Sequence, residues 1–404
     1  MIRLLTIIGA RPQIIKAAAI SRAIKAKFAE EIEEKILHTG QHYDQNMSQV
    51  FIDELGIPQP DYNLGVGSGS HGIQTAKMIA GIEKVLTEDH FDGIILYGDT
   101  NSTLAGAVAA SKIHVPIFHI EAGLRSNNMA MPEEVNRIVC DQLASILFPP
   151  TETGFKNLVH EGFLDSKATF KNGMKRKVVN CGDVMLDNSR YFSSLSNEKT
   201  DIIQRLGLKP HGYVLATIHR DNNTDDPERL TAIFSALMDI AERDSIDFVL
   251  PLHPRTAKLL PVNLKLDAHE RLQRSERVRL IPPASFFEII ELEKNARIVM
   301  TDSGGVQKEA FFFERPCVIL RPETEWVEIV EHGAGIVADA DHDRIVAAYD
   351  ELVKQDVHFP RLFGDGNAAE MILKEICEYL ECAGKQKSFK NQSVLSPTRD
   401  VENK

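Results

Sequence analysis

Short, wholly apolar segments alternate with helical stretches along this 404-residue chain, and this alternation limits the folds open to it more than any other feature. The apolar segments contain no regular polar alternation, which predicts parallel strands covered on both faces. Repeated β-α-β units of this kind predict an α/β protein with doubly wound parallel sheets. The predicted strands are Arg3–Ile8, Lys35–His38, Gly93–Tyr97, Ile117–Ile120, Ile146–Phe148, Val178–Asn180, Tyr213–Thr217, Asp247–Leu252, Val278–Ile281, Arg297–Thr301, Cys317–Leu320 and Gly335–Ala338.

These strands are too many for one comfortable sheet, so we expect two Rossmann-like domains that face each other across a cleft. The polar, turn-rich stretch 187–212 is the natural boundary, which gives domains at 1–190 and 191–366. Residues 367–383 have the pattern of a last amphipathic helix, expected to pack back on the first domain, and the polar tail 384–404 is expected to be loose. In this arrangement ligands bind at the strand ends, in the cleft.

Charge and cysteine content exclude several classes of partner. Lys plus Arg number 46 against 58 Asp plus Glu, a net charge of −12, which argues against binding nucleic acid or acidic membranes. No apolar run approaches the roughly 18 residues of a membrane span, and the opening segment MIRLLTIIGARP is better explained as a buried strand than as a signal peptide. Five scattered cysteines predict a reducing, cytoplasmic location without disulfides or structural zinc.

Two strand-to-helix turns are candidate anion sites. In GARPQIIK (9–16), Arg11 and Lys16 flank a helix that begins near Pro12, although an ordinary turn with two solvated cations has the same pattern. In TDSGGVQKEA (301–310), a strand leads through Ser303, Gly304 and Gly305 into a helix. Glycines there allow backbone amides to approach a phosphate, and the helix dipole favours its charge. One turn later, Glu309 is either a ligand for a ribose diol or a plain surface residue.

Three acidic residues follow strands or open helices in the first half of the chain. Asp99 ends YGD, Glu121 ends HIE, and Glu133 opens a helix after Pro132. Asp99 and Glu133 could merely cap helices or complement their dipoles. Should the three converge, they would raise one another's pKa values, which is how a site obtains both an acid and a base.

The positions of the histidines suggest a further anion site and no metal site. A His-Arg pair, His219 and Arg220, ends one strand of the second half, and His253 ends the next; such residues suit an anionic ligand or serve a structural role. His38, His42 and Asp44 cluster in HTGQHYD, but no second cluster has ligand-type spacing. We therefore predict no metal site.

Together these motifs resemble the non-hydrolysing UDP-N-acetylglucosamine 2-epimerase family, whose fold is similar to that of the GT-B glycosyltransferases. The resemblance runs in family order over residues 1 to about 380, and EAGLR followed by PEExNR and SGGxQxEA is a specific combination. The motifs are GARPQIIK (9–16), TGQHYD (39–44), YGDTNST (97–103), HIEAGLR (119–125), MPEEVNR (131–137), ATIHRDNN (216–223), LPLHPR (250–255) and TDSGGVQKEA (301–310).

The resemblance implies inversion at C2 of a UDP-linked 2-acetamido sugar, UDP-GlcNAc to UDP-ManNAc, through a glycal intermediate. It further implies a role in surface polysaccharide synthesis, a homodimer and no cofactor. The implied acid/base set is Asp99, Glu121 and Glu133, with the acid and the base not assigned among them. The implied contacts are His219 with the diphosphate, Arg11, Lys16, Ser303, Gly304 and Gly305 with phosphates, Glu309 with the ribose, and Arg137 near the sugar.

Some positions depart from the commonest family pattern. Trp326 stands where an arginine is common, Lys308 replaces a glutamate in QKEA, and the loop 67–78 lacks an arginine that some members use for an activating second substrate. These features resemble the branch that epimerises UDP-2,3-diacetamido-2,3-dideoxyglucuronate. The rival classes are a GT-B glycosyltransferase, a sugar-nucleotide-binding regulator and a hydrolysing epimerase. The regulator would be expected to have lost one of the three acids.

Overall fold

The computed structural model describes the backbone of residues 1–41, 56–165 and 170–394, and their side chains as far as residue 384. Two compact units divide the chain. Unit 1 comprises Met1–Asp187 and Phe363–Lys404, and unit 2 comprises Asn188–Leu362. The sequence led us to expect these divisions at residues 190 and 366.

Unit 1 contains a seven-stranded parallel sheet in the order β3-β2-β1-β4-β5-β6-β7. Its strands are β1 (Ile2–Ile8), β2 (Ile32–His38), β3 (Tyr62–Asn63), β4 (Gly93–Tyr97), β5 (Ile117–Ile120), β6 (Ile146–Phe148) and β7 (Lys177–Val178). Its helices are α1 (Arg11–Ala23, extended by a π-helical turn over Ile24–Phe28), α2 (His71–Glu88), α3 (Asn101–Ile113), α4 (Pro132–Leu143), α5 (Glu152–His160), α6 (Val184–Lys199, which continues into unit 2) and α16 (Ala368–Val394).

Unit 2 contains a six-stranded parallel sheet in the order β10-β9-β8-β11-β12-β13. Its strands are β8 (Tyr213–Thr217), β9 (Asp247–Pro251), β10 (Val278–Ile281), β11 (Ile298–Thr301), β12 (Cys317–Ile319) and β13 (Gly335–Val337). Its helices are α7 (Ile202–Arg205), α8 (Asp221–Thr224), α9 (Pro227–Asp244), α10 (Pro254–Asn263), α11 (Leu266–Arg274), α12 (Phe286–Asn295), α13 (Gly304–Phe312), α14 (Val327–Glu331) and α15 (His342–Lys354).

Burial on both sheet faces explains the wholly apolar strands. Every residue of β4, β5 and β8 is buried, because helices cover both faces of each sheet. In each unit the strand order reverses once, as in a Rossmann fold. The prediction of two doubly wound parallel-sheet domains is therefore confirmed.

The prediction of a turn-rich boundary at 187–212 was wrong over its first part, because α6 runs through it to Lys199. The stretch has a polar composition, but several of its polar side chains are buried, among them Asn188, Ser189 and Ser196. Ser196 Oγ lies 2.5 Å from Glu291 Oε1. A hydrogen-bonded buried helix can therefore have the composition of a linker.

The last helix belongs to unit 1 and is longer than expected. The carboxylate of Asp187 accepts the backbone N–H groups of Ala368 and Ala369 at 3.1 and 2.8 Å. Tyr379 packs edge-to-face on Phe118 of β5, with ring centroids 6.0 Å apart. The helix continues to Val394, so the prediction of a loose tail from residue 384 was wrong for residues 384–394. Residues 395–404 lie outside the described residues.

Candidate functional site

The reversal of strand order gives each unit one crevice at the carboxyl ends of its strands. It falls between β1 and β4 in unit 1 and between β8 and β11 in unit 2. Ligands of open α/β sheets bind at such points because the helices that follow the two strands lie on opposite faces there. Most of the predicted site residues lie on the turns beside these two crevices.

In unit 1, Glu121 and Asp99 follow neighbouring parallel strands. Glu121, directly after β5, forms a buried ion pair with Lys16 of α1. Gly98 precedes Asp99 and has a φ of +61°; a Cβ on Gly98 would lie 2.9 Å from Glu121 Oε2 and 3.2 Å from Lys16 Nζ. The glycine therefore makes room for the ion pair as well as for the turn.

Arg137 binds the second carboxylate. Its Nη2 lies 2.5 Å from Asp99 Oδ2, and its Nη1 pairs with Glu134. Burial raises the pKa of Asp99, Arg137 and Lys16 oppose that effect, and the charge of Glu121 adds to it. A carboxyl group with a raised pKa holds its proton nearer neutral pH than a free aspartate does, which suits proton transfer.

The remaining predicted residues of unit 1 differ in their exposure and partners. Glu133 is exposed on the first turn of α4, and the buried acid of that turn is Glu134, which also accepts the N–H groups of Ser126 and Asn127 at 3.1 and 3.0 Å. Lys16, for which phosphate binding stays a prediction, forms an ion pair with Glu121. Arg11 is exposed at the first residue of α1.

Two buried polar residues that the sequence reasoning missed hold these turns together. Gln13 Oε1 accepts the N–H of Gly9 at 2.9 Å, and its Nε2 donates to the carbonyl of Tyr97 at 3.1 Å, which ties the end of β1 to that of β4. His119 of β5 contacts the carbonyl of Gly98 through Nε2 at 2.8 Å. A histidine within an otherwise apolar, buried strand was the available signal for the second.

In unit 2, Asp302 is a further residue that the sequence reasoning missed. It is completely buried after β11, and its carboxylate accepts the N–H groups of His219 and Arg220 at 3.0 and 3.1 Å. His219 Nδ1 lies 3.2 Å from Asp302 Oδ1. Asp302 thus orients the His219 ring and fixes the turn after β8, and its place at the end of an apolar strand was the signal.

The turn after Asp302 forms an anion cradle. Ser303 is the N-cap of α13, and Gly304 and Gly305 form its first turn. Gly305 is exposed and a Cβ there would meet only Ser303 Oγ, at 3.8 Å, whereas a Cβ on Gly304 would collide with Glu325. The first-turn amides at this positive end of the helix suit a phosphate.

The remaining candidates of unit 2 lie near this cradle. His253 is the N-cap of α10, and its ring centroid is 6.2 Å from that of His219; Arg220 is exposed beside them. Glu309 lies on α13, where its charge adds to the effect of burial in raising the pKa of Glu293.

Trp326 is buried, and Lys308 Nζ lies 4.2 Å from its ring centroid. Trp326 and its neighbour Glu325 pack against the cradle, because a Cβ on Gly304 would lie 3.5 Å from Trp326 Nε1 and would collide with Glu325 Oε1.

No group of three potential metal ligands occurs among the residues that the structure describes. His38 is buried at the end of β2, and its Nδ1 accepts the N–H of Gly40 at 3.0 Å. His42 and Asp44, with which it was considered as a ligand cluster, lie outside the described residues.

Comparison with known proteins identifies the family. A family model described as UDP-N-acetylglucosamine 2-epimerase matches residues 24–377. The chain belongs to this family. The epimerase is thus an isomerase of the non-hydrolysing UDP-sugar 2-epimerase class. Over its described residues, no helix is both long and apolar enough to cross a membrane.

Two relatives and one solved structure cover nearly the whole epimerase. A Pseudomonas aeruginosa UDP-2,3-diacetamido-2,3-dideoxy-D-glucuronate 2-epimerase is 47% identical over 94% of this chain and 99% of its own. A Methanocaldococcus jannaschii UDP-N-acetylglucosamine 2-epimerase is 38% identical over 92% of this chain and 98% of its own. The crystal structure of the M. jannaschii UDP-GlcNAc 2-epimerase in complex with UDP-GlcNAc and UDP has a TM-score of 0.80 at 36% identity, covering 93% of this chain and 99% of that one.

Proposed function

We propose that the epimerase inverts C2 of a UDP-linked 2-acetamido sugar by eliminating and re-adding UDP. The observation that carries this proposal is the pair of carboxylates, Asp99 and Glu121, on adjacent strand ends with different environments. Asp99 has a raised pKa beside Arg137, whereas Glu121 is ion-paired with Lys16. Two carboxyl groups held in different environments can divide the roles of acid and base.

The chemistry explains why elimination is needed. C2 is not adjacent to a carbonyl group, so its proton is barely acidic while the sugar is intact. As a base removes that proton, the C2–H electron pair forms a C1–C2 double bond and the C1–O bond breaks, so UDP leaves with its bonding electrons. In the re-addition, a UDP oxygen attacks C1 of the glycal and the C1–C2 double bond takes a proton from an acid at C2. This proton arrives on the face of C2 opposite to the one from which the first proton was removed. Glu133 stays a predicted third member of the acid/base set.

The cradle of unit 2 suits the departing group. UDP gains negative charge as the C1–O bond breaks, and charge that develops in a transition state is best stabilised by donors already in position. Ser303, Gly304 and Gly305 offer helix N-terminal amides, and His219, held by Asp302, can donate a hydrogen bond to the diphosphate. Glu309 is proposed for the ribose hydroxyls, while Arg11, Arg220 and His253 are proposed as further substrate contacts.

We infer that the sugar is UDP-2,3-diacetamido-2,3-dideoxyglucuronate. The 47% identical Pseudomonas relative bears that substrate in its name, and the substitutions Lys308 and Trp326 lie in contact with each other next to the phosphate cradle. UDP-GlcNAc is the second candidate, because the M. jannaschii relative, 38% identical, is a UDP-N-acetylglucosamine 2-epimerase and the M. jannaschii structure is a complex with UDP-GlcNAc and UDP.

Proton NMR in heavy water tests both parts. The purified epimerase is incubated separately with the two UDP-sugars while the C2 proton and the anomeric signals are followed. Deuterium entry at C2 together with a new anomeric signal establishes proton-exchanging epimerisation and identifies the sugar. Turnover of UDP-GlcNAc alone overturns the uronate assignment. Free sugar and UDP as the only products would instead indicate a hydrolysing enzyme.

We also propose a cytoplasmic homodimer that supplies a surface polysaccharide precursor, with no nucleic-acid partner and no cofactor. Free cysteines, four of them buried, support a reducing compartment. The net charge of −12 opposes nucleic-acid binding. Light scattering of the purified protein tests the dimer, and a monomeric mass at working concentration contradicts it.

A further inference from the structure

His119 is a completely buried histidine that the proposed chemistry does not use. Its ring bridges two partners, with Nε2 2.8 Å from the Gly98 carbonyl oxygen and Nδ1 2.7 Å from Asp141 Oδ1. Gly98 directly precedes Asp99. The histidine therefore contacts the backbone of the turn that presents one of the two proposed acid/base residues.

Both partners of the ring accept hydrogen bonds and neither can donate one when Asp141 is ionised. Asp141 Oδ2 also accepts the Arg125 guanidinium at 2.8 Å and the Gly123 N–H at 3.1 Å, so its carboxylate is satisfied as an anion. The hydrogen bonds thus assign a proton to each ring nitrogen. Burial opposes the charge, but Cys140 and Asp141 hold the pKa of His119 well above its ordinary value.

The same network fixes the turn that presents the second acid/base residue. Glu121 has a left-handed backbone with a φ of +69°, which is strained for a residue other than glycine and persists only where the surroundings hold it. Asp141 binds the N–H of Gly123, two residues further along. The His119–Asp141 pair is therefore attached to the chain just before Asp99 and just after Glu121.

We propose that His119 is a positioning residue: its doubly protonated ring, bridging Gly98 and Asp141, sets the relative placement of the Asp99 and Glu121 carboxylates for proton transfer at C2. This proposal rests on the function proposed above. It differs from a purely structural role because the bridge connects the two acid-bearing turns of unit 1, whereas the residues proposed for the phosphates belong to unit 2. Its loss should slow turnover and leave nucleotide binding unchanged.

Three substitutions separate the two contacts of the ring. His119→Phe keeps the aromatic shape and removes both donors. His119→Gln keeps a donor at the distance of Nε2 and can reach the Gly98 carbonyl, whereas His119→Asn keeps a donor at the distance of Nδ1 and can reach only Asp141. Leu86→Ala, in the core of the same unit at the end of α2, is the control for simple destabilisation.

The expected result is a separation of kcat from binding. Because misplacement of a catalytic group by about 1 Å can cost roughly a hundredfold in rate, His119→Phe should lower kcat by about that factor while KM and the Kd for UDP change by less than about twofold. His119→Gln should recover about tenfold of the loss, and His119→Asn less. Leu86→Ala, measured where it remains folded, should keep its kcat at a lower melting temperature.

Several results overturn the proposal. Unchanged kcat in His119→Phe does so, as does a loss that Leu86→Ala reproduces, or an Asn variant at least as active as the Gln variant. Should the variants fail to fold, nitrogen-15 NMR of the wild-type ring decides: a neutral tautomer with one bare nitrogen at pH 7 contradicts the bridge. Wild-type protein that exchanges no C2 proton on either UDP-sugar would refute the proposed function instead.

Discussion

Substituting Gly98 by alanine tests the buried ion pair beside Asp99 most directly. The residue has a φ of +61°, so alanine incurs the cost of a left-handed backbone, about 1–2 kcal/mol. The added Cβ would lie 2.9 Å from Glu121 Oε2, and ordinary contact begins at 3.4 Å. The carboxylate must therefore move by about half an ångström, and it cannot do so without disturbing Lys16, because the two are each other's buried partners.

Two other glycines provide matched controls, because they share the backbone strain without the collision. Gly162 of unit 1 (φ +79°) and Gly207 of unit 2 (φ +62°) have no atom within 4 Å of an added Cβ. Alanine at either should lower the free energy of unfolding by about 1–2 kcal/mol, a fall in melting temperature of roughly 2–8 °C. Neither should change kcat.

The expected outcome for Gly98→Ala is a kcat reduced tenfold or more, measured as deuterium entry at C2, with the Kd for UDP unchanged by calorimetry. Its melting temperature should fall further than that of the Gly162 control. Wild-type kcat in Gly98→Ala, with a melting temperature no lower than that of the control, would refute the reasoning, because it would mean that the Lys16–Glu121 pair can shift freely without consequence for the chemistry.

The remaining predictions concern the carboxylates of Glu121, Asp302 and Asp89. Glu121→Gln should bind UDP with unchanged affinity and lose C2 exchange, since an amide cannot take up a proton; an active variant would remove Glu121 from the acid/base set. Asp302→Asn replaces one of the two oxygens that accept the N–H groups of His219 and Arg220 by an NH2 donor. The Kd for UDP, measured by calorimetry, should therefore rise about tenfold. An unchanged Kd would show that Asp302 has no role in nucleotide binding. Hydrogen bonds, first from Arg3 and second from Tyr62, lower the pKa of Asp89 to about 2 from an ordinary 3.8. The ionised Asp89 therefore contributes fully to the free energy of unfolding above about pH 3.8, and this contribution is lost as the pH falls through 2. Tyr62→Phe should raise that pKa and shift the loss to higher pH, which carbon-13 titration of the Asp89 carboxyl group measures; an unchanged value would contradict the assignment.

The strand predictions succeeded where apolar runs are both complete and bounded. Gly93–Tyr97 and Ile117–Ile120 are strands with those bounds because both sheet faces are covered and every side chain is buried. Tyr62–Asn63, in contrast, is a strand of two residues at the sheet edge, too short for any periodic signal. The polar helix α6 was missed because hydrogen-bonded burial leaves no apolar pattern.

The site was predictable at the level of turns, and less so for individual side chains. Apolar runs that end in Asp99, Glu121 or His219 placed these residues at the carboxyl ends of strands, where the structure also has them. That Glu134 is buried and Glu133 is exposed depends on the phase of α4, where Glu134 and Arg137 share a face at a spacing of three residues and Arg137 reaches Asp99. That Lys16 pairs with Glu121 depends on packing between elements far apart in sequence, which single-sequence patterns do not encode.

The return of α16 to unit 1 has a consequence for how the protein is made. Ile372, Leu373 and Ile376 are buried in unit 1, yet a ribosome must translate all of unit 2, residues 188–362, before it reaches them. At 5–20 residues per second this takes roughly 10–35 s, during which the apolar surface awaiting the helix stays uncovered. The inserted unit 2 can fold as soon as it emerges, whereas unit 1 is synthesised first and completed last. A nascent chain of this architecture is therefore most prone to aggregation while its own final helix is still unmade.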